Sequence, residues 1–88
     1  MPYMLAFSPR FQKQYRKLTA EQRLAIQKKL KLLAKNTAHP SLRVKRIRGT
    51  VGLWEMSVNM DIRIIWQYDG DTLILLLDVG HHDILKRY

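Results

Sequence analysis

The spacing of apolar residues changes once along this chain, and that change limits what the chain can become. Phe11, Tyr15 and Leu18, and then Ile26, Leu30 and Leu33, recur every three or four positions, which lines one face of a helix. From residue 42 onward the helical period is gone. In its place stand "LRVKRIRG", "LWEMSVN", "IRIIWQY" and "TLILLLDVG". These runs are rich in β-branched and aromatic residues and are broken by "GTVG", "NMD" and "DGD", which read as turns. Breaks so short cannot hold a parallel crossover, so the four strands should form an antiparallel meander. A helical layer against one face of such a sheet is an α+β arrangement, with the other face left partly open.

The earlier residues mark their own boundaries. "YMLAF", from Tyr3 to Phe7, suits a buried strand, and it stops at Ser8, a good N-cap, followed by Pro9, whose fixed φ fits the first helical position. Thr19 and Gln22 have the spacing of a capping box, so a second helix follows almost directly and runs to about Lys35. Asn36 suits the end of that helix, and Pro40 disfavours helical angles at His39, which reads as a loop residue. The 88 residues leave room for one domain, 1–88, and 47% hydrophobic content fills one modest core. There is no cysteine, so neither disulfides nor a thiolate zinc site supplies stability.

Sixteen lysines and arginines against seven acids give a formal charge of +9. So basic a surface suits a polyanionic or acidic partner: nucleic acid first, then an acidic protein or an anionic membrane. The sequence opens on no basic segment with a long apolar core and cleavage site, and no apolar run approaches the ~18 residues of a membrane span. A cytoplasmic protein without a membrane partner is the expectation.

Alternate strand residues face opposite sides of a sheet, so parity sorts the candidate site residues. If Ile47 points at the helices, Arg46 and Arg48 point away. Trp54, Met56 and Val58 form one apolar set and Ile62, Ile64 and Trp66 another, which leaves Glu55, Ser57, Asn59, Arg63 and Gln67 on the opposite side. Arg46, Arg48, Glu55, Ser57 and Arg63 are then expected to share the open face. Arg63 interrupts a hydrophobic strand and requires a partner there. His81 and His82 lie where the last strand runs out, and neighbouring strand residues diverge, so no metal site is expected of them. Lys28, Lys29, Lys31 and Lys35 read most simply as the wet face of a helix, with ribosomal RNA contact as the second reading.

The order of elements and several short signatures together resemble the RelE/ParE superfamily of bacterial and archaeal toxins. The signatures are "RKL" closing the first helix (Arg16–Leu18), "RIRG" before a turn (Arg46–Gly49), "LW" opening the next strand, "IRIIWQYDGDTLILLLDVG", and a His-rich tail. The resemblance implies a toxin held silent by an acidic, partly disordered antitoxin, as a toxin–antitoxin hetero-oligomer. One branch cuts messenger RNA in the ribosomal A site and the other poisons DNA gyrase. In the nuclease branch the ribose 2′-OH attacks the adjacent phosphate with no metal or cofactor. That reaction needs a base at the 2′-OH, cations around the phosphate and an acid at the leaving oxygen.

On this resemblance Arg63 falls at a phosphate-binding arginine, His81 or His82 where relatives carry a catalytic histidine or arginine, and Tyr88 at a C-terminal tyrosine that stacks on a base. Lys45, Arg46 and Arg48 join Arg63 as the expected RNA- and phosphate-binding cations. The chain also departs from the pattern: where some nuclease members carry two lysines it has Glu55 and Ser57, and where others carry a glutamate base it has Ser41 nearby. Glu55 is either a replacement base or a plain ion-pair partner of Arg63 or Arg48. Two plainer readings stand beside these: strand-end histidines are often merely solvated, and Asp83 suits the cap of a final helical turn. Besides the RNA-cutting toxin, the gyrase-poisoning toxin and a non-enzymatic basic RNA-binding module remain open as alternatives.

Overall fold

The computed structural model describes residues 2–88. The chain runs through β1 (Met4–Phe7), α1 (Pro9–Arg16), α2 (Ala20–Lys35), a 3-10 turn (Pro40–Leu42), β2 (Lys45–Arg46), β3 (Trp54–Ser57), β4 (Ile62–Asp69), β5 (Leu73–His81) and a final 3-10 helix (His82–Arg87). Both helix starts form as the sequence predicts. The Ser8 hydroxyl accepts from the Phe11 N–H, and Thr19 and Gln22 close a reciprocal capping box.

The strands form one sheet in the order β1-β5-β4-β3-β2. The meander from β2 to β5 is antiparallel, and β1 joins it parallel to β5. Phe11, Ile26, Leu30 and Leu33 from the helices pack on Met56, Ile62, Ile64, Trp66, Ile74 and Leu76 from the sheet. Removing each such side chain from water stabilises the fold by about 1.5–3 kcal/mol. Trp66 is fully buried, and the half-buried Trp54 packs against the core and stacks on it with ring centroids 5.8 Å apart.

One irregularity matters for everything on the opposite face. Ile65 pairs with Asp78, yet its neighbour Trp66 pairs with Leu76, so Leu77 is an extra residue in β5. Such a bulge breaks the two-residue alternation. Leu76 and Val79 therefore both face the helices, and Asp78 turns to the far side, next to Ile65. Strict alternation along β5 would have placed the Asp78 carboxylate among Ile74 and Leu76 in the apolar core.

That far side is less open than the sequence suggests. The final 3-10 helix folds back across it, burying Ile84 and fully covering Ile65. A Cβ added at Gly80 would lie 2.6 Å from Ile84 Cγ2, so glycine is what permits the close approach. Gly80→Ala is expected to lower unfolding stability by about 1–3 kcal/mol through overpacking, read as a shift in the denaturant midpoint at unchanged m-value.

The second correction concerns β2. Only Lys45 and Arg46 of "LRVKRIRG" are strand, and the register pairs Lys45 with Glu55 and Arg46 with Trp54. Directly paired residues share a face. Lys45 thus lies on the far side with Glu55, while Arg46 lies on the helix side, its guanidinium 5.7 Å from the Trp54 ring centroid. Arg46 is not on the face with Glu55, Ser57 and Arg63, contrary to the expectation from Ile47. Arg48 is exposed in the turn after β2. The parity read for Glu55, Ser57 and Arg63 is as expected.

Candidate nucleic-acid interface

On the far face, Lys45, Glu55, Arg63 and His82 line one concavity of about 400 Å³, together with Arg43, Ser57, Met60 and Leu85. Strand order explains the meeting. Ser57 on β3 pairs with Arg63 on β4, which pairs with Gly80 on β5, and His82 follows two residues later at the start of the final helix. Arg63 is therefore central, with Glu55 and Lys45 to one side and His82 to the other. Adjacent strands lie ~4.8 Å apart, so β3 and β5 are separated by roughly 10 Å. A ribose and its phosphate fit across that span.

The Arg63 side chain finds its partners in the backbone. Its Nη1 donates to the carbonyls of Asn59, at 2.8 Å, and Ile62, at 3.2 Å. Among the described residues it has no carboxylate within ion-pair distance, so the alternative in which Glu55 pairs with Arg63 or Arg48 is not what forms. The carbonyls hold one edge of the guanidinium and leave the rest of its planar fork for a ligand.

Both histidines converge on a residue that the sequence marked only as part of a turn. Asp61 Oδ2 meets His81 Nδ1, and Asp61 Oδ1 lies 3.4 Å from His82 Nδ1. The carboxylate is fixed locally: the Asn59 side chain accepts from the Asp61 and Ile62 N–H groups at 2.9 and 2.7 Å, an Asx turn. The hydrogen bond from His81, with a further one from His82, holds the Asp61 carboxyl below its ordinary range. A carboxylate at Nδ1 favours the proton on that nitrogen and leaves Nε2 outward for proton transfer. The two imidazoles differ in place. His81 pairs with Ile62, on the helix side of the sheet, and only His82 lines the concavity. No motif pointed to Asp61, because its role depends on β4 and β5 lying side by side.

Tyr88 is held elsewhere. Its hydroxyl donates to the fully buried Asp78 carboxylate at 2.8 Å, which also receives Arg10 Nε at 3.1 Å, with Arg87 at 3.6 Å. Arg10 reaches it because β1 ends at Phe7, opposite Leu76, so α1 begins beside the unpaired edge of β5, where Ser8 donates to the Leu77 carbonyl at 2.8 Å. Burial, and then the hydrogen bond to Asp78, push the Tyr88 hydroxyl above its ordinary value, which keeps it a donor. The cluster clamps the final helix, and so His82, onto the sheet. Asp83 lies inside that helix, whose N-cap is His81 with no side-chain bond. Asp78→Ala is expected to cost about 1–3 kcal/mol of stability in a urea titration, the range for losing one buried hydrogen-bonding partner. The larger cost of a stranded buried charge does not arise, because Arg10 is half exposed.

A larger groove of about 580 Å³, between β1 and the two helices, is lined by Phe7, Phe11, Tyr15 and Leu30 and holds one charged group, Arg16. It has no acid/base pair. Among the described residues no helix is long and apolar enough to cross a membrane.

Residues 5–85 match the sequence model described as the ParE toxin of the type II toxin–antitoxin system parDE. No curated protein sequence matches. Among solved structures, the chain is similar to one in the Escherichia coli DinJ–YafQ toxin–antitoxin complex, with TM-score 0.76 and 20% identity over 97% of this chain and 98% of that one. It is similar to one in the RelBE2 toxin–antitoxin complex of Mycobacterium tuberculosis, with TM-score 0.78 and 19% identity over 92% of each chain. A third is in the RelE–RelB complex of Pyrococcus horikoshii, with TM-score 0.76 and 18% identity over 92% of this chain and 96% of that one. At these identities the likeness is one of fold.

Proposed function

The chain belongs to the ParE toxin family of type II toxin–antitoxin systems, and within that family we propose, from the geometry of its site, that it is a metal-independent endoribonuclease that cuts messenger RNA on the ribosome. The observation that carries this reading is the gathering of Lys45, Glu55, Arg63 and His82 around one concavity. These are the residue types that a 2′-OH attack on phosphate requires, set on both sides of a central arginine. Glu55 takes the proton of the 2′-OH as its oxygen closes on phosphorus. Arg63 and Lys45 stabilise the negative charge that grows on the non-bridging oxygens. His82 gives a proton to the departing 5′-oxygen, leaving a 2′,3′-cyclic phosphate and a free 5′-OH. General acid–base transfer of this kind contributes about 10²–10⁴-fold, and an oriented cation or donor on the developing charge is of comparable weight.

A type II antitoxin with an acidic segment is the partner that silences it. With a formal charge of +9 on the toxin, such a segment would compete with RNA for Lys45 and Arg63, or displace the final helix that carries His82. A segment that folds as it binds can wrap that much surface despite its ordering cost.

The second reading is inhibition of DNA gyrase, and the family's description as ParE favours it. The experiment that separates the two is expression of the protein with mapping of message ends on translating ribosomes, alongside a gyrase supercoiling assay. Message cut within the A-site codon with supercoiling unaffected is the expected result. Blocked supercoiling with intact message would replace the first reading by the second.

A further inference from the structure

The concavity around Arg63 does not end there. A second depression of about 270 Å³ shares Arg43, Ser57, Met60 and Arg63 with it and adds Lys29 and Ser41 on its far side. The two form one continuous groove. Its extension differs in chemistry from the first part: it contains the cations Lys29, Arg43 and Arg63 and no carboxylate. Among the described residues neither Lys29 nor Arg43 has an acidic partner within ion-pair distance, so both charges converge unneutralised.

The backbone at this point is unusual as well. Arg43 is the only non-glycine residue with positive φ among those described, at φ 49° and ψ 48°. Arg43 is the C-cap of the 3-10 turn, where its N–H donates to the Pro40 carbonyl at 3.2 Å. A left-handed arginine persists only where its surroundings overdetermine it, and such positions cluster at ligand clamps. Met60, 93% exposed, borders both depressions and offers an apolar contact to whatever lies along the groove.

We propose that this extension is a second subsite for single-stranded RNA, in which Lys29 and Arg43 take the phosphate next to the one that Arg63 holds and Met60 contacts a neighbouring base. The inference rests on the nuclease reading for its direction, since a strand crossing the Arg63 site must leave it along the groove. Alternating phosphate and base is the chemistry that cations interleaved with an exposed apolar side chain recognise.

The test uses the whole protein and a short RNA made uncleavable by 2′-O-methylation at the scissile nucleotide. Binding is measured as a function of salt for wild type and for Lys29→Gln combined with Arg43→Gly, glycine being chosen because it adopts the left-handed backbone without strain. Loss of one phosphate contact lowers the slope of log K against log salt by about 0.7 for a single strand. Affinity is expected to fall about tenfold. Removing one nucleotide from the end that occupies the extension should erase the difference between wild type and variant, whereas trimming the other end should preserve it.

Equal slopes for both proteins, or a deficit that persists whichever end is trimmed, would overturn the subsite. Retained RNA binding with lost affinity for the antitoxin would overturn it too, and would give the groove to an acidic peptide. The reading beneath it fails separately. Uncut message with the slope difference intact removes the nuclease and keeps the RNA groove; cut message with equal slopes does the reverse.

Discussion

Arg63→Ala is expected to reduce message cleavage by about 10²-fold or more while the protein still folds. The magnitude is that of removing one oriented donor aimed at charge that develops in the transition state. Folding should survive, because the Arg63 side chain bonds only to two carbonyls, on Asn59 and Ile62, and the Ile62 carbonyl still accepts from the Val58 N–H at 2.9 Å. Those same bonds explain why the position demands arginine. One nitrogen is spent on the backbone, and the planar fork still has donors to present to a phosphate. Arg63→Lys keeps the charge without the fork, so it should recover only part of the lost rate. The check is single-turnover cleavage on programmed ribosomes, with circular dichroism and a urea titration to show that the variant is folded. Wild-type cleavage by a folded Arg63→Ala protein would remove Arg63 from the mechanism.

His82→Ala should be as damaging, by about 10²–10⁴-fold, the range for a general acid or base. His81→Ala should cost far less. Both imidazoles contact Asp61, but only His82 lines the concavity with Arg63. Asp61→Asn is expected to fall between the two, since an amide still bonds to the imidazoles but no longer favours the same tautomer. The discriminating quantity is the ratio of the two single-variant rates at one pH. Equal and small losses at His81 and His82 would mean that the pair is structural, and loss confined to His81 would reverse the assignment.

Several of these conclusions were readable from short stretches of sequence. Ser8-Pro9 and the Thr19–Gln22 box placed both helix starts, because caps are local: a side chain satisfies an N–H three residues away. The period of Ile62, Ile64 and Trp66 placed Arg63 on the face opposite the helices, since alternation along an unbroken strand is also local. At Arg46, the start of "RIRG", the same alternation fails for a related reason. β2 is a two-residue strand, and its register, which brings Arg46 onto Trp54, is set by pairing with β3 rather than by anything within the segment.

By itself the sequence determined the two α-helices, the side of β4 on which Arg63 lies, and that the molecule is strongly basic, because these depend on neighbours a few positions apart and on a simple count of charges. Tertiary structure alone decided what meets across the sheet. The extra residue at Leu77 turned Asp78 out of the core and onto the far face, where Arg10 and Tyr88, 68 and 10 residues away in the chain, neutralise and bind it. That clamp brings the final helix over Gly80, covers a face expected to be open, and sets His82 beside Arg63. Asp61 joins His81 and His82 in the same way, across 20 and 21 positions of sequence. A bulge and a contact between distant residues are chosen by the packing of the whole sheet, so no local pattern announces them.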